Sequence, residues 1–84
     1  NPKLSVRVTP NPFTNEIFIS NILERNNLQK IKIVNNLGQI VYQKKYFDFN
    51  SDFLKINGSM LNEGLYFLQL FYNKTEVIKL IKIK

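Results

Sequence analysis

The alternating run Lys30-Ile31-Lys32-Ile33, followed by the turn Asn35-Asn36-Leu37-Gly38, decides the fold class of this 84-residue chain. Side chains two residues apart on a strand share one face, so the run directs both isoleucines toward a core and both lysines toward water. Asn tolerates a positive φ and Gly adopts one without steric cost, which makes the turn the strongest hairpin signal in the chain. Residues 39–46 are therefore predicted to return as the antiparallel partner strand.

The same two-residue periodicity recurs along most of the chain, whereas helical periodicity is nearly absent. It predicts seven short strands, over residues 4–9, 17–19, 30–33, 39–46, 52–57, 65–72 and 75–84. Strands at such regular spacing favour two packed sheets, so the predicted fold is all-β, a seven-stranded antiparallel β-sandwich. The predicted core comprises Leu4, Val6, Val8, Ile17, Ile31, Ile33, either Ile40 or Val41, Leu54, Ile56, Tyr66, Leu68 and Leu70.

Three local features refine this prediction. Pro10 and Pro12 cannot donate to a sheet ladder, so they should end the first strand, and Phe13 should fold back on the core as a plug. Residues 65–72 are apolar on both faces, which predicts a central strand covered from both sides. In residues 75–84 the alternation is imperfect, and a bulge near Lys79 would bring most of the apolar side chains to one face.

Composition bounds the function. The length allows one domain, residues 1–84, and no apolar run approaches the roughly 20 residues of a membrane span. The chain contains no Cys and no His, which removes the usual zinc, copper and haem ligands and the common nucleophile–base pairs. We therefore expect no cofactor, no metal and no enzymatic activity. Because the chain begins with Asn and no leader precedes the domain, we expect it to be a piece of a longer protein.

The chain is basic, with 12 Lys and Arg against six Asp and Glu, for a net charge of +6. This excess indicates either a solvated surface or attraction to an anionic partner. Arg occurs only twice, and the basic residues are dispersed over every predicted strand, so nucleic acid is not the expected partner. A cluster of aromatic residues lies close in sequence to Lys44 and Lys45; it comprises Tyr42, Tyr46, Phe47, Phe49 and Phe53. These aromatic side chains either fill the core or form a stacking platform for a sugar or for single-stranded nucleic acid.

Short motifs follow one another in a definite order. They are Pro10-Asn11-Pro12, the Gly38-Gln39 hairpin, Gly64-Leu65-Tyr66, and Lys79 within an apolar last strand. In this order the chain resembles the C-terminal sorting domain of the type IX secretion system of Bacteroidetes-type bacteria, over residues 4–84. The resemblance implies an immunoglobulin-like sandwich, in agreement with the strand pattern. The positions that it carries over are Pro10, Asn11, Pro12, Gly38, Gly64, Tyr66 and Lys79, with Ile81 and Lys82 in the strand that follows.

The resemblance implies a signal that directs an N-terminal passenger across the outer membrane. Its expected partners are the outer-membrane translocon and a sortase-like peptidase that removes the domain. The expected location is the periplasm in transit, then the cell surface or the medium. The alternative is an immunoglobulin-like adhesive or carbohydrate-binding module of a surface protein. Most motif residues have a plain structural reason: Gly38 and Gly64 for turns, Tyr66 for the core, and the prolines to stop a strand. Lys79 has none, and we expect the final strand to carry the export information.

Overall fold

The strands of the structure follow the predicted pattern closely. The computed structural model describes residues 6–20, 28–46, 52–72 and 74–84. The strands in this part of the chain are β1 (Arg7–Thr9), β2 (Glu16–Ser20), β3 (Lys30–Asn35), β4 (Ile40–Lys45), β5 (Phe53–Asn57), β6 (Gly64–Phe71) and β7 (Thr75–Lys82). The described residues contain no helix. β1 ends at Thr9, where the prolines were predicted to stop it.

The strands form two antiparallel sheets. A three-stranded sheet has the order β1-β2-β5, and a four-stranded sheet has the order β4-β3-β6-β7. Both sheets direct alternate side chains inward, as in β3, where Ile31 and Ile33 are fully buried between half-buried lysines. The predicted all-β architecture of seven strands in two antiparallel sheets is confirmed.

The core is close to the predicted one. Its buried residues are Phe13, Ile17, Ile19, Leu28, Ile31, Ile33, Ile56, Tyr66, Leu68, Leu70 and Leu80. Val6, Val8 and Leu54 pack against this cluster but are only partly buried. The predicted Leu4 lies outside the described residues. Phe13 is fully buried, which confirms its predicted role as a plug.

The prediction of Ile40 or Val41 as a core residue is wrong, because a bulge changes the register of the β3–β4 pair. Ile33 pairs with Tyr42, but Val34 pairs with Ile40, so Val41 is an extra residue in β4. The bulge gives the inward position opposite Ile33 to Tyr42, which packs against the core. Ile40 remains 50% exposed and Val41 36%.

Two expectations about the last strands are also wrong. The register of β6 with β7 is unbroken from Gly64↔Lys82 to Phe71↔Thr75, so there is no bulge at Lys79. β7 instead divides its apolar residues between two faces, with Leu80 buried and Val77 and Ile81 exposed. β6 is central within its sheet, but only one of its faces is buried, since its outward side chains are half-buried. Nothing in the described chain forms a third layer over them.

Candidate recognition site

The Pro10-Asn11-Pro12 motif lies against the outer edge of β7. The Asn11 amide donates from Nδ2 to the carbonyl of Lys79 at 2.8 Å, and its Oδ1 accepts from the N–H of Ile81 at 3.1 Å. Both peptide bonds that precede the prolines are cis. An edge strand exposes unpaired backbone groups to any other strand. The Asn11 side chain satisfies two of these groups on β7 as a neighbouring strand would.

The backbone of Phe13 pairs with the next stretch of the same β7 edge. Its N–H donates to the carbonyl of Ile81 at 2.9 Å, and its carbonyl accepts from the N–H of Ile83 at 2.9 Å. These two bonds form an isolated parallel bridge between Phe13 and Lys82. The half of β7 that follows Lys79 is therefore paired on both sides, by β6 and by residues 11–13.

The ring of Phe13 rests against a glycine in the loop after β5. The N–H of Gly58 donates to the carbonyl of Asn15 at 2.7 Å. A Cβ atom at Gly58 would lie 2.8 Å from Cε2 of Phe13 and 3.3 Å from the Asn15 carbonyl oxygen. Any larger residue would displace the ring, so the close approach requires glycine here.

The Gly64-Leu65-Tyr66 motif forms the corner that leads into β6. Gly64 has a φ of +150°, and a Cβ atom there would meet no atom within 4 Å, so backbone conformation rather than space favours glycine. The Tyr66 side chain is buried, and its hydroxyl donates to the carbonyl of Asn62 at 2.7 Å. This bond fixes the loop before β6 onto the core.

The Gly38 hairpin forms as predicted. Gly38 has a φ of +85°, and its N–H donates to the carbonyl of Asn35 at 3.0 Å. The Asn35 Oδ1 accepts from the N–H groups of Leu37 and Gln39, each at 2.9 Å. These bonds explain why Asn precedes the turn, since its side chain replaces backbone partners.

The motif residues meet at one end of the sandwich, although they are scattered from residue 10 to residue 82. Tyr66 pairs with Asn35 of β3, next to the Gly38 hairpin, and with Leu80 of β7 on its other side. Gly64 pairs with Lys82, whose strand is in turn covered by residues 11–13. Strand pairing brings together Gly64, Tyr66, Lys79, Ile81 and Lys82, and the Asn11 side chain adds Pro10, Asn11 and Pro12 at the edge of β7. Gly38 lies in the turn that follows Asn35, at the same end of the sheet.

The two predicted lysines of the last strand have different environments. Lys79 is exposed on the outer face, opposite Phe67. Lys82 points inward and is only 9% exposed, with Nζ 5.9 Å from the centre of the Phe13 ring. Its Nζ also donates to the carbonyl of Ile83 at 3.3 Å. Lys82 therefore does not extend a free basic edge, and its buried stem closes the core beside Phe13.

The aromatic residues of the middle of the chain do not form one platform in the part that the structure describes. Tyr42 of β4 and Tyr46, just after that strand, pack against the core. Phe53 instead stacks on Phe18 across the outer face of the other sheet, with ring centres 5.7 Å apart. Phe47 and Phe49 lie outside the described residues. Burial, and secondly the neighbouring Tyr42, raise the pKa of Tyr46 to about 12.

Sequence reasoning found the motif positions but missed Gly58, Leu80 and the bond partners of Asn11. Within residues 6–20, 28–46, 52–72 and 74–84, no group of three His, Cys, Asp or Glu side chains could hold a metal. The same described residues include no helix of the length and hydrophobicity that crossing a bilayer requires.

A family model described as the secretion system C-terminal sorting domain matches residues 7–84. No curated protein sequence matches the chain significantly. Because the family match covers nearly the whole sequence, the chain belongs to the family of type IX secretion C-terminal sorting domains.

Proposed function

We propose that this type IX sorting domain directs an N-terminal passenger across the outer membrane, as a ligand of the translocon and a substrate of a sortase-like peptidase. The family itself supports a C-terminal sorting signal and export to the cell surface or the medium. It is a family of signal domains rather than of enzymes, and we propose that this chain likewise has no activity of its own. Transit through the periplasm and removal of residues 1–84 as one domain are parts of the proposal.

The convergence of the motif residues on one end of the sandwich is the observation that carries this proposal. Four separate pieces of sequence meet there through strand pairing and the Asn11 bonds to β7. A domain that only needed to be stable could place its turns and caps at either end. A recognition domain gains from presenting its exposed motif positions together, because one partner can then contact several of them. Tyr66 and Lys82 are buried and support this surface from beneath.

We also propose that the sandwich is of the immunoglobulin type. The order β1-β2-β5 and β4-β3-β6-β7 supports this proposal, since a three-stranded sheet packs on a four-stranded one. The Tyr66 hydroxyl bonded to the Asn62 carbonyl supports it as well. A tyrosine at the start of the penultimate strand, bonded to backbone a few residues upstream, is a hallmark of that fold.

The proposal is tested by fusing residues 1–84 to the C-terminus of a reporter that carries a periplasmic leader. The fusion is expressed in a host with the type IX system and in an isogenic host without its outer-membrane translocon. We expect the reporter at the surface or in the medium of the first host and in the periplasm of the second. Equal amounts outside both hosts, or none outside either, would contradict the proposal and favour the adhesive module.

Deletion of the last strand is a poor test of recognition. Leu80 is fully buried, and removal of residues 75–84 would also take away the partner of β6 and of Phe13. The truncated domain would then fail to fold, and lost export would say nothing about contacts. Lys79→Glu is preferable, because the Lys79 side chain is exposed and its carbonyl bond to Asn11 does not depend on it. We expect reduced export with an unchanged unfolding temperature.

A further inference from the structure

The outward faces of the two sheets differ in chemistry. On the three-stranded sheet, outward side chains contact one another: Lys55 forms a salt bridge with Glu16 at 3.4 Å, and Phe18 stacks on Phe53. The four-stranded sheet carries an outward face that is both apolar and basic. We call it the β4-β3-β6-β7 face; its described positions are Ile40, Gln43, Lys45, Lys30, Lys32, Val34, Leu65, Phe67, Gln69, Phe71, Thr75, Val77, Lys79 and Ile81.

Cross-strand pairing orders this face into rows. One row runs from Ile40 through Val34 and Phe67 to Lys79, and beside it Leu65 pairs with Ile81. Val77 and Ile81 are 57% and 39% exposed. The solvent face of an antiparallel sheet is ordinarily polar, so apolar side chains across several strands indicate a face that another surface covers.

The opposite end of the face is basic. Lys30 and Lys32 both lie over the Phe71 ring, with Nζ 4.9 and 5.4 Å from its centre. Lys30 also lies directly opposite Lys45, a like-charge pair that destabilises a sheet. With Lys79 the face carries four lysines, and its described outward positions include no carboxylate. No carboxylate at the described outward positions neutralises these lysines, so their positive charge is available to an anionic partner.

The charge and shape of the face identify the chemistry of that partner. A second copy of the chain would bring four lysines against four, which excludes face-to-face pairing of two domains. Insertion into lipid requires apolar side chains that protrude together. The most exposed ones on this face, Val77 at 57% and Ile40 at 50%, lie on opposite edge strands, and the central Leu65, Phe67 and Phe71 are half-buried. The most exposed apolar side chains, Leu37 and Met60, lie in loops. A flat face of this kind fits a second protein layer.

We propose that the β4-β3-β6-β7 face is the surface through which the domain docks on an acidic, partly apolar protein surface of the export machinery. This inference rests on the proposed function and assigns the contact surface within it. The lysines supply charge complementarity, and Val34, Phe67 and Ile81 supply apolar area that becomes buried on docking.

The test compares two double variants in the reporter fusion described above. Lys30→Glu with Lys32→Glu changes the proposed face, and Arg7→Glu with Lys55→Glu changes the outward face of the other sheet. Each pair replaces two cations by two anions, so the net charge of +6 falls by four to +2 in both. We expect export of the first to fall about tenfold or more, and export of the second to change less than about twofold.

Folding is controlled by thermal unfolding of both variants. The first should unfold close to the wild-type temperature. It loses the two lysine contacts with the Phe71 ring, but Lys30→Glu turns the repulsive pair with Lys45 into an attractive one. The variant with Lys30→Arg and Lys32→Arg should retain export. A stable first variant with lost export is a result that a merely structural role cannot produce.

Several outcomes would overturn the inference. Equal loss in the two double variants would show dependence on net charge alone, and equal retention would show that this face makes no contact. If the wild-type fusion is exported and the purified domain binds phosphatidylglycerol vesicles through Lys30 and Lys32, the partner is lipid rather than protein. If the wild-type fusion itself stays in the periplasm, the proposed function fails, and this inference fails with it.

Discussion

Asn11 and Ile81 are 70 residues apart, yet the Asn11 side chain completes the outer edge of the last strand by accepting from the Ile81 N–H at 3.1 Å. The same amide donates to the Lys79 carbonyl, so one side chain replaces a stretch of backbone. Neither flanking proline has an N–H with which to serve this purpose. Asn is suited to the position because it offers a donor and an acceptor from one short, planar group.

Asn11→Ala should remove both bonds and lower the free energy of unfolding by about 1 to 2 kcal/mol. We expect a value near about 1 kcal/mol, because both bonds are exposed to water. Amide hydrogen exchange provides a local measurement. The Ile81 N–H should exchange faster in the variant, while the Ile83 N–H, held by the Phe13 carbonyl, should keep its protection. Faster exchange at both positions would mean that the whole segment detaches, and no change at Ile81 would contradict the edge-cover role.

Gly58→Ala should destabilise the domain by about 1 to 3 kcal/mol, because the new methyl group would overlap the Phe13 ring. Denaturant unfolding of a double-mutant cycle checks the cause. In the background of Phe13→Leu, whose smaller side chain leaves room, Gly58→Ala should cost much less. If the cost is the same in both backgrounds, the clash with Phe13 is not its source.

Leu68→Ala should lower the free energy of unfolding by about 2 to 5 kcal/mol, since Leu68 is fully buried in the middle of β6. The matched control is Leu37→Ala at the tip of the hairpin, where the side chain is 78% exposed. That change should stay within about 0.5 kcal/mol of the wild type. Similar losses for the two leucines would show that β6 does not form the core.

Tyr46 should make stability fall at high pH. Its pKa rises from 10.0 to about 12 on folding, first through burial and then through Tyr42, so the folded state holds this proton more tightly than the unfolded state. The contribution of this raised pKa to the free energy of unfolding is fully present below pH 10 and is lost as the pH rises toward about 12. Tyr46→Phe should flatten this part of the curve of unfolding free energy against pH. An identical slope in the variant would contradict the prediction.

Much of the fold could be predicted from the sequence because strand periodicity is local. The alternation in β3 and the Asn35–Gly38 turn determine their own conformation, and the structure follows them. The position of Val41 could not be predicted, because a bulge depends on how two strands pair rather than on either strand alone. The bonds of Asn11 could not be predicted either, since their partners lie in a strand that is distant in sequence.

The same limit applies to the lysines of the candidate site. From the sequence, Lys79 and Lys82 look alike, since each interrupts an apolar strand. Their spacing of three residues places them on opposite faces, and the unbroken β6–β7 register then decides which one is buried. From the sequence alone, a bulge near Lys79 and an unbroken strand account equally well for the positions of the apolar residues in β7.

The bridge between residues 11–13 and β7 also makes completion of the fold depend on contacts between two segments near opposite ends of the domain. A variant truncated before Lys79 would lack the hydrogen-bond partners of the Asn11 side chain and of the Phe13 backbone. The Phe13 ring would then have no backbone bonds to keep it in the core. Contacts over such long sequence separations form late in folding. Phe13 can therefore close the core only when both segments are present, so folding of the domain is completed by its longest-range contacts.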